Sequence, residues 1–328
     1  MAYAADEIYT RLAAKSLVLW KDFFDAVGAH SCFQQTGVLW MAAADEPGLA
    51  ETQAVFDRVG IAYELVGHDE LLQRYPHMSL PESTKAIFEP GSGVLLAERS
   101  VEIVMRNAVE EGVVFEKAVV QPDETATGHL AFVDTIDGRR FHSDLFVFAC
   151  GSWLPKLFPR ELNVIRPTRQ ELFFFEAPKS GSLFDSTRMP VWIDQTDNRL
   201  PYGLPNVEGA GIKLGFHRSG PSFDPDTGNR SVTDDQIAEA AGYLRSRFPS
   251  LAIVPKTTRV CHYENTPNAD LLADRHPAFD NVWLIGGGSG HGFKHAPGFA
   301  ENLIQAIGRG QQDEPRFTLA SKSAPGYG

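Results

Sequence analysis

Apolar residues recur along the chain with two spacings, one typical of helices and one typical of strands. Helical spacing predicts helices over residues 8–27, 51–59, 69–75, 98–111, 233–247 and 299–307. Short alternating or continuous apolar runs predict strands over residues 36–41, 61–66, 113–117, 145–150, 171–176, 191–193, 211–217 and 281–285. The chain is therefore expected to form a mixed fold of helices and sheets.

The order of these elements indicates two interleaved regions. The run over 145–150 is apolar at every position and ends at Gly151, which is typical of a parallel strand buried on both faces. A second buried strand with its helix, over 281–309, would close a doubly wound sheet. From about residue 166 to about residue 263 the pattern is mainly β with one helix. We expect an α/β fold of mixed character, followed by a loose polar tail after Gln311.

A glycine-rich turn separates the apolar run over 281–285 from the helix over 299–307. Its glycines are Gly286, Gly287, Gly288, Gly290 and Gly292. A strand, a glycine turn and a helix commonly form a cradle for a ligand, because helix N-termini favour negative charge. Lys294 stands before such a terminus, so we interpret it either as an anion clamp or as a lysine that faces solvent. His291, among the glycines, is compatible with an exposed or a buried position.

The predicted strand over 211–217 carries a second candidate site. Alternation places Lys213, Gly215 and His217 on one face, with the two end residues roughly 13 Å apart. The glycine between them would leave room for a flat ligand. The alternative is an ordinary solvated strand face.

Composition narrows the class of partner. The 328 residues carry a net charge of −12 and a pI of about 5.3, whereas nucleic acids and anionic membranes are bound by clustered Lys and Arg. No stretch reaches the ~18 apolar residues of a membrane span, and no signal peptide is recognisable. We therefore expect neither nucleic acid nor a membrane as a partner.

The chain has three cysteines, Cys32, Cys150 and Cys261, without the spacing of metal ligands. An odd number suits a reducing compartment, so we expect a cytoplasmic protein without a metal site. Taken alone, Cys261 is more often an inert small apolar residue than a reactive thiol.

Several motifs occur in an order that resembles the monomeric sarcosine oxidase family, within the D-amino-acid oxidase-like FAD-dependent oxidoreductases. They are AIFEPGSGVLLAE (86–98), FACGSW (148–153), PYGLP (201–205), GIKLGFH (211–217), DPDTGNR (224–230), RVCHYENTPNADLLADRHP (259–277) and GGGSGHGFKHAPG (286–298). The resemblance extends from Ala2 to about Ile307.

The resemblance implies a fold with two discontinuous domains. One is an incomplete FAD-binding Rossmann-like domain made of residues 1–30, 93–160 and 262–318. The other is a β-rich substrate domain made of residues 31–92 and 161–261.

The resemblance also implies roles for individual residues. Cys261 stands where the family attaches its flavin through a thioether, which makes a covalent FAD the expected cofactor. Lys213 stands where a lysine assists reaction with dioxygen, and Lys294 where a residue grips the substrate carboxylate. The residues expected to line the substrate cavity are Tyr202, His217 and Tyr263. The residues expected to contact the flavin in the C-terminal turn are Gly287, Gly288, Ser289, Gly290, His291, Gly292, Phe293 and Lys294.

The backbone N–H groups of this turn would face the flavin and stabilise the negative charge that the ring gains on reduction. The implied reaction oxidises the C–N bond of a secondary amine or N-methyl amino acid to an imine. Dioxygen would accept the electrons and form hydrogen peroxide. The expected protein is a monomer whose partners are this amine or amino-acid substrate and dioxygen.

Two alternatives remain open from the sequence. One is an amine or amino-acid dehydrogenase of the same superfamily that uses another electron acceptor. The other is an inactive fragment that no longer holds FAD.

The sequence departs from the family in a few places. The G-x-G-x-x-G segment that binds the FAD pyrophosphate is absent, so we expect an N-terminally truncated form. Glu264 replaces a threonine, Asn268 an acidic residue and Gly288 an aromatic residue. These changes predict a larger and differently charged cavity, and a substrate other than sarcosine.

Overall fold

The computed structural model describes residues 6–123, 127–179, 181–218 and 220–323. The α-helices within them are α1 Glu7–Ala26, α2 Pro47–Val59, α3 His68–Arg74, α4 Ala97–Glu110, α5 Leu154–Leu157, α6 Asp234–Arg247 and α7 Ala296–Arg309. The strands are β1 Phe33–Gln34, β2 Val38–Ala43, β3 Glu64–Val66, β4 Thr84–Glu89, β5 Val94–Leu95, β6 Val120–Gln121, β7 Phe132–Thr135, β8 Arg140–His142, β9 Phe146–Phe148, β10 Arg166–Phe175, β11 Val191–Asp194, β12 Pro201–Leu204, β13 Ile212–Phe216, β14 Pro255–Asn265, β15 Leu272–Arg275 and β16 Val282–Gly286. The predicted mixture of helices and strands is confirmed.

Local sequence signals explain several helix ends. The side chain of Thr233 accepts from the backbone N–H of Gln236 at the start of α6, and the Gln236 side chain accepts from the Thr233 N–H in return. This reciprocal pair satisfies N–H groups that the first turn of a helix leaves open. At the other end of a helix, Gly60 follows α2 with a φ of 80°, a conformation that a side chain would strain.

The chain divides into two compact units. Unit 1 comprises Met1–Ser100, Gln170–Gly220 and Asn229–Cys261, and unit 2 comprises Val101–Arg169, Pro221–Gly228 and His262–Gly328. The expected domains differ from this division because they group residues 1–30 with 93–160 and 262–318. The structure places those first residues in unit 1, where α1 packs on α2.

The main sheet has eight strands in the order β14-β10-β13-β12-β11-β2-β4-β3. Its strands are antiparallel where the register is defined, except for the parallel pair β11 and β2. The inward faces of these strands and α6 form the core of unit 1, with Trp192, Leu214 and Leu244 fully buried. This sheet holds the β13 face that the sequence singles out.

A buried ionic network fixes α6 to β11 within unit 1. Asp194 is fully buried and lies 2.7 Å from the Arg247 guanidinium. The Tyr243 hydroxyl donates to the same carboxylate at 2.9 Å, and the hydroxyl of Thr196 donates at 2.6 Å. Arg247 also donates to the carbonyl of Ser79 at 2.6 Å. The buried charges therefore have partners, as burial requires.

Unit 2 contains a smaller sheet in the order β15-β16-β9. β16 runs parallel to β9 and antiparallel to β15. Leu154, Leu272 and Leu284 are fully buried in the core beside it. A second small sheet, β6-β7-β8, includes a hairpin of β7 and β8 with Asp137 and Gly138 in its turn.

Three expectations for unit 2 are wrong. Residues 113–117 form no strand, and Val114 among them is 81% exposed. β9 is not buried on both faces, because Val147 is 42% exposed. The chain after Gln311 is not loose up to residue 323, because Phe317 and Lys322 are buried. All three predictions inferred burial from the composition of a segment. Burial depends instead on which other parts of the chain pack against that segment.

The apolar face predicted on α4 is largely exposed. Val101, Val104, Met105 and Val109 each show more than a third of their surface to solvent. Within the described ranges, no helix is long and apolar enough to cross a membrane. The same residues contain no group of His, Cys, Asp and Glu side chains that could hold a metal ion.

His77 is buried in unit 1 among aromatic rings. Its ring centroid lies 4.9 Å from that of Phe184 and 6.0 Å from that of Phe248. Neither ring nitrogen has a hydrogen-bond partner among the described residues. Burial lowers the pKa of His77 to about 4, and the nearby Arg188 acts in the same direction.

We predict that His77→Phe makes the fold less sensitive to acid. The folded pKa of about 4 lies below the ordinary value of 6.5, so folding requires the neutral imidazole. Its contribution is fully present above the ordinary value and is lost as the pH falls towards 4, by up to about 3 kcal/mol. Urea unfolding between about pH 7 and about pH 4 measures this loss.

The matched control is His30→Phe, because the His30 side chain is 70% exposed. It should lose stability with acid as the wild type does. If His77→Phe loses as much as the wild type, the buried imidazole is not the source of the acid sensitivity.

Candidate active site

Lys213 lies half-buried on β13 between apolar residues of the two flanking strands. The register places Phe174 of β10 and Leu204 of β12 opposite it. Burial is the main cause that lowers the pKa of Lys213, the Cys261 thiol opposes this, and Arg259 adds to it. Within the part of the chain that the structure describes, the ammonium makes no ion pair or hydrogen bond. A cation held in this way is typical of a functional site.

The sequence suggests an empty space beside Lys213, but this space is filled. Tyr202 lies directly opposite Gly215, and a Cβ atom at Gly215 would lie 2.7 Å from the Tyr202 ring. The prediction that a flat ligand has room over Gly215 is therefore wrong, because the phenol ring of Tyr202 occupies that space. The glycine accommodates a side chain of the protein itself.

Two further candidates of unit 1 lie on the same sheet. His217 follows the end of β13 with an exposed side chain, and its backbone N–H donates to the Leu200 carbonyl at 2.9 Å. Cys261 lies on β14 as a half-buried free thiol. The Cys261 thiol acts on the pKa of Lys213, so it lies within electrostatic range of the ammonium, with β10 between their strands in the sheet.

The glycine turn of unit 2 joins the end of β16 to the segment before α7. Gly287, Ser289 and Gly290 have φ values of 70°, 43° and 80°. At Gly290 a Cβ atom would lie 2.3 Å from the ring of Tyr263, so the Tyr263 ring packs directly on the turn. The glycines are needed for these backbone angles and for this close approach.

The backbone N–H groups of the turn are largely taken up inside unit 2. Gly288 donates to the Glu264 carboxylate at 3.1 Å, and Ser289 donates to the Glu264 carbonyl at 3.3 Å. His291 and Gly292 both donate to the carbonyl of Gly288, at 2.7 and 3.0 Å. The expectation that these N–H groups are directed at a ligand is therefore wrong for these four residues.

The three residues after the turn form a short 3₁₀ segment before α7. Phe293 and Lys294 are half-buried, and His295 is fully buried. Burial lowers the pKa of His295 to about 2, and the charges of Lys294 and His291 add to the effect. His291 itself is tied to the Ala269 carbonyl through Nε2 at 2.9 Å. Lys294 is thus the cation of this segment at the N-terminal end of α7.

The sequence identifies Glu264 as a departure from the family that changes the charge of the cavity, but it does not identify this residue as a support of the glycine turn. It lies on β14, and its carboxyl reaches the glycine turn. Burial raises the pKa of Glu264, while the N–H groups of Gly288 and Gly287 partly oppose this. The signal in the sequence was the glutamate in place of the family's threonine, but residue identity does not tell how far a side chain reaches.

The sequence also provides no prediction of a polar pair in unit 2. Ser152 Oγ lies 2.6 Å from Nδ1 of His262. The His262 ring stacks on Phe223 at a centroid distance of 5.6 Å and meets the edge of Trp153 at 5.6 Å. The pair connects the FACGSW segment to β14.

The candidate residues thus fall into two groups. Unit 1 carries Tyr202, Lys213, His217 and Cys261, and unit 2 carries Tyr263, the turn from Gly287 to Gly292, Phe293 and Lys294. The unit 1 residues lie on strands of the main sheet or directly after one of them.

The chain matches known proteins over most of its length. Residues 1–306 match the family described as FAD dependent oxidoreductase. The monomeric sarcosine oxidase of Bacillus sp. (strain B-0618) is 31% identical over 326 residues, which cover 97% of this chain and 83% of the relative. The N-methyl-L-tryptophan oxidase of Yersinia pestis (strain Pestoides F) is 26% identical over 321 residues, which cover 96% of this chain and 82% of the relative.

A solved structure gives the same result for the fold. The modified fructosyl peptide oxidase from Aspergillus nidulans superposes with a TM-score of 0.83 at 17% identity. The superposition covers 99% of this chain and 82% of that one.

Proposed function

Because this chain belongs to the FAD dependent oxidoreductase family, we propose that it oxidises the C–N bond of an N-methyl amino acid or similar secondary amine. The names of two relatives support this substrate class, since one is a sarcosine oxidase and the other an N-methyl-L-tryptophan oxidase. The product is an imine, which water hydrolyses. We further propose a cytoplasmic monomer, and its three free cysteines support a reducing compartment.

The observation that carries the proposal is the half-buried Lys213 beside the Cys261 thiol. A buried cation costs free energy unless a ligand compensates it, and a flavin offers electron-rich ring atoms. A half-buried free thiol on the neighbouring part of the same sheet is available for attachment. These residues fit the flavin part of FAD.

The turn fits a flavin less completely than its sequence suggests. Four of its N–H groups already have acceptors, so the turn supports a ligand more through its shape than through free donors. We propose that the turn from Gly287 to Gly292, with Phe293, contributes contacts of unit 2 to the cofactor.

FAD, when bound, supplies the acceptor for a hydride from the carbon next to the amine nitrogen. The protein holds and orients the substrate for this transfer. We assign Lys294 to the substrate carboxylate, because it stands at a helix N-terminus, where an anion is favoured. We assign Tyr202 and His217 of unit 1, and Tyr263 of unit 2, to contacts with the amine substituents of the substrate. Lys213 stabilises the negative charge that dioxygen gains when it accepts electrons.

A dehydrogenase that passes electrons to a carrier is the second candidate function. Lys213 favours the oxidase, because a cation without an ion pair suits the reduction of dioxygen. The decisive experiment incubates the purified chain with FAD and N-methyl amino acids and measures peroxide and dye reduction in parallel. Substrate turnover without peroxide would contradict the oxidase, and a chain that binds no FAD would contradict the enzyme.

We predict that Cys261→Ser abolishes covalent attachment of the flavin. A serine hydroxyl is a much weaker nucleophile than a thiol near a cation. The measurement is the flavin absorbance that stays with acid-precipitated protein. Cys150→Ser is the matched control, because Cys150 is also half-buried and free. Retention of covalent flavin in Cys261→Ser would disprove the assignment.

We predict that Lys213→Met slows reoxidation of the reduced enzyme by dioxygen about 100-fold. Methionine retains the length and apolar stem of lysine but carries no charge. Stopped-flow absorbance separates this step from reduction by substrate, which should change much less. Lys85→Met, an exposed lysine on β4 of the same sheet, should behave as wild type. Equal slowing of both steps would refute a role in dioxygen reduction.

We predict that Lys294→Met raises KM for an N-methyl amino acid about tenfold or more, since a charged hydrogen bond is lost. An N-methyl amine without a carboxylate should show almost no change. Lys117→Met in the same unit is the control, because its side chain is exposed. If KM rises equally for both amines, Lys294 does not bind the carboxylate.

A further inference from the structure

The carboxyl group of Glu264 lies under the glycine turn of unit 2. Oε1 accepts the N–H of Gly288 at 3.1 Å. Oε2 is buried and has no hydrogen-bond partner among the described residues. One carboxyl oxygen is therefore hydrogen-bonded, and the other is buried without a hydrogen bond. Such an unsatisfied buried oxygen costs free energy of folding.

The position of Oε2 is set by two glycines at the carboxyl ends of parallel strands. A Cβ atom at Gly286, the last residue of β16, would lie 2.9 Å from Oε2. A Cβ atom at Gly151, three residues after β9, would lie 4.0 Å from it. The carboxyl ends of parallel strands are where α/β sheets bind their ligands. Oε2 thus lies at the ligand-binding edge of the pair.

Within the described ranges, no cation pairs with the Glu264 carboxyl or acts on its pKa. Cys150 lies close enough on the β9 side to respond to the Glu264 charge: burial raises the pKa of this thiol, and Glu264 adds to the effect. The helix α5 contributes apolar Leu154, and the turn contributes backbone N–H groups. A carboxyl in such surroundings is held towards its neutral, protonated form.

We propose that Glu264 is a positioning residue of the cofactor site, which holds the turn through Oε1 and presents a neutral acid proton on Oε2 at the edge formed by β9 and β16. This role rests on the proposed function, because the ligand at that edge is the FAD of the family. A neutral acid at this place adds no negative charge near a flavin that gains negative charge on reduction.

The first experiment needs no cofactor. Since the pKa of folded Glu264 is raised above 4.5, its protonated form stabilises the fold at low pH, and this contribution is lost as the pH rises from 4.5 through the raised value. Glutamine has the same shape, accepts and donates, and does not titrate. Thermal unfolding of the flavin-free chain from about pH 5 to about pH 9 should therefore favour Glu264→Gln increasingly with pH.

The control for this experiment is Glu111→Gln, an exposed carboxyl of unit 2. Its difference in Tm from the wild type should stay constant with pH. A constant difference for Glu264→Gln as well would overturn the proposal, because it would mean that Glu264 titrates at an ordinary pKa.

The second experiment measures the midpoint potential of bound FAD. At a pH below 4.5, Glu264→Gln should keep the wild-type potential, because a carboxyl whose pKa is raised above 4.5 is neutral there, and amide and neutral acid carry the same charge. A higher potential in the variant would overturn the proposal, because it would reveal that a carboxylate charge had been removed. Glu264→Ala, which cannot hold Gly288, should bind FAD about tenfold more weakly, whereas Glu264→Gln restores binding.

The outcomes separate this role from the proposed function. A wild-type chain that holds no FAD contradicts the proposed function and the role together. A chain that binds and reduces FAD, with Glu264→Ala as tight as wild type, contradicts the role alone.

Discussion

A buried backbone N–H must find an acceptor, and this requirement shapes the glycine turn on which the site of unit 2 depends. The N–H groups of Gly288, Ser289, His291 and Gly292 are satisfied by Glu264 and by the turn itself. The turn is therefore held in one shape before any ligand arrives, which lowers the entropy cost of binding. Because these backbone donors are occupied, the proposed recognition of the substrate carboxylate rests on the Lys294 side chain instead.

A charged side chain that is buried also needs partners, because it loses its hydration. Buried charges with partners in the protein are structural, whereas a buried charge without them is a candidate for function. Asp194 is fully buried, but Arg247, Tyr243 and Thr196 satisfy it, so its network stabilises unit 1 without needing a ligand. Lys213 is less buried but makes no ion pair or hydrogen bond within the described residues. A half-buried cation whose desolvation is not compensated in this way is expected where a ligand binds.

Much of this architecture follows from the pattern of the sequence. Helical spacing predicts α1, α4 and α6 to within a few residues, because their apolar faces repeat over several turns. The run over 113–117 fails because a short apolar segment contains no information on what covers it. At the site, alternation places Lys213 and Gly215 correctly, but the Tyr202 ring comes from another strand, so pairing register was needed to see it.

Glycine content is a weaker indicator of a ligand cradle than the side chains that the glycines face. Gly215 accommodates Tyr202, Gly290 accommodates Tyr263, and Gly286 accommodates both Glu264 and Leu154. Gly286 and Glu264 are therefore interdependent: a side chain at 286 would displace the carboxyl, and a small residue at 264 would open a cavity below the turn. Because Glu264 ties the turn to β14, the two positions can change only together, whereas an isolated ligand-binding glycine would be constrained by its ligand alone.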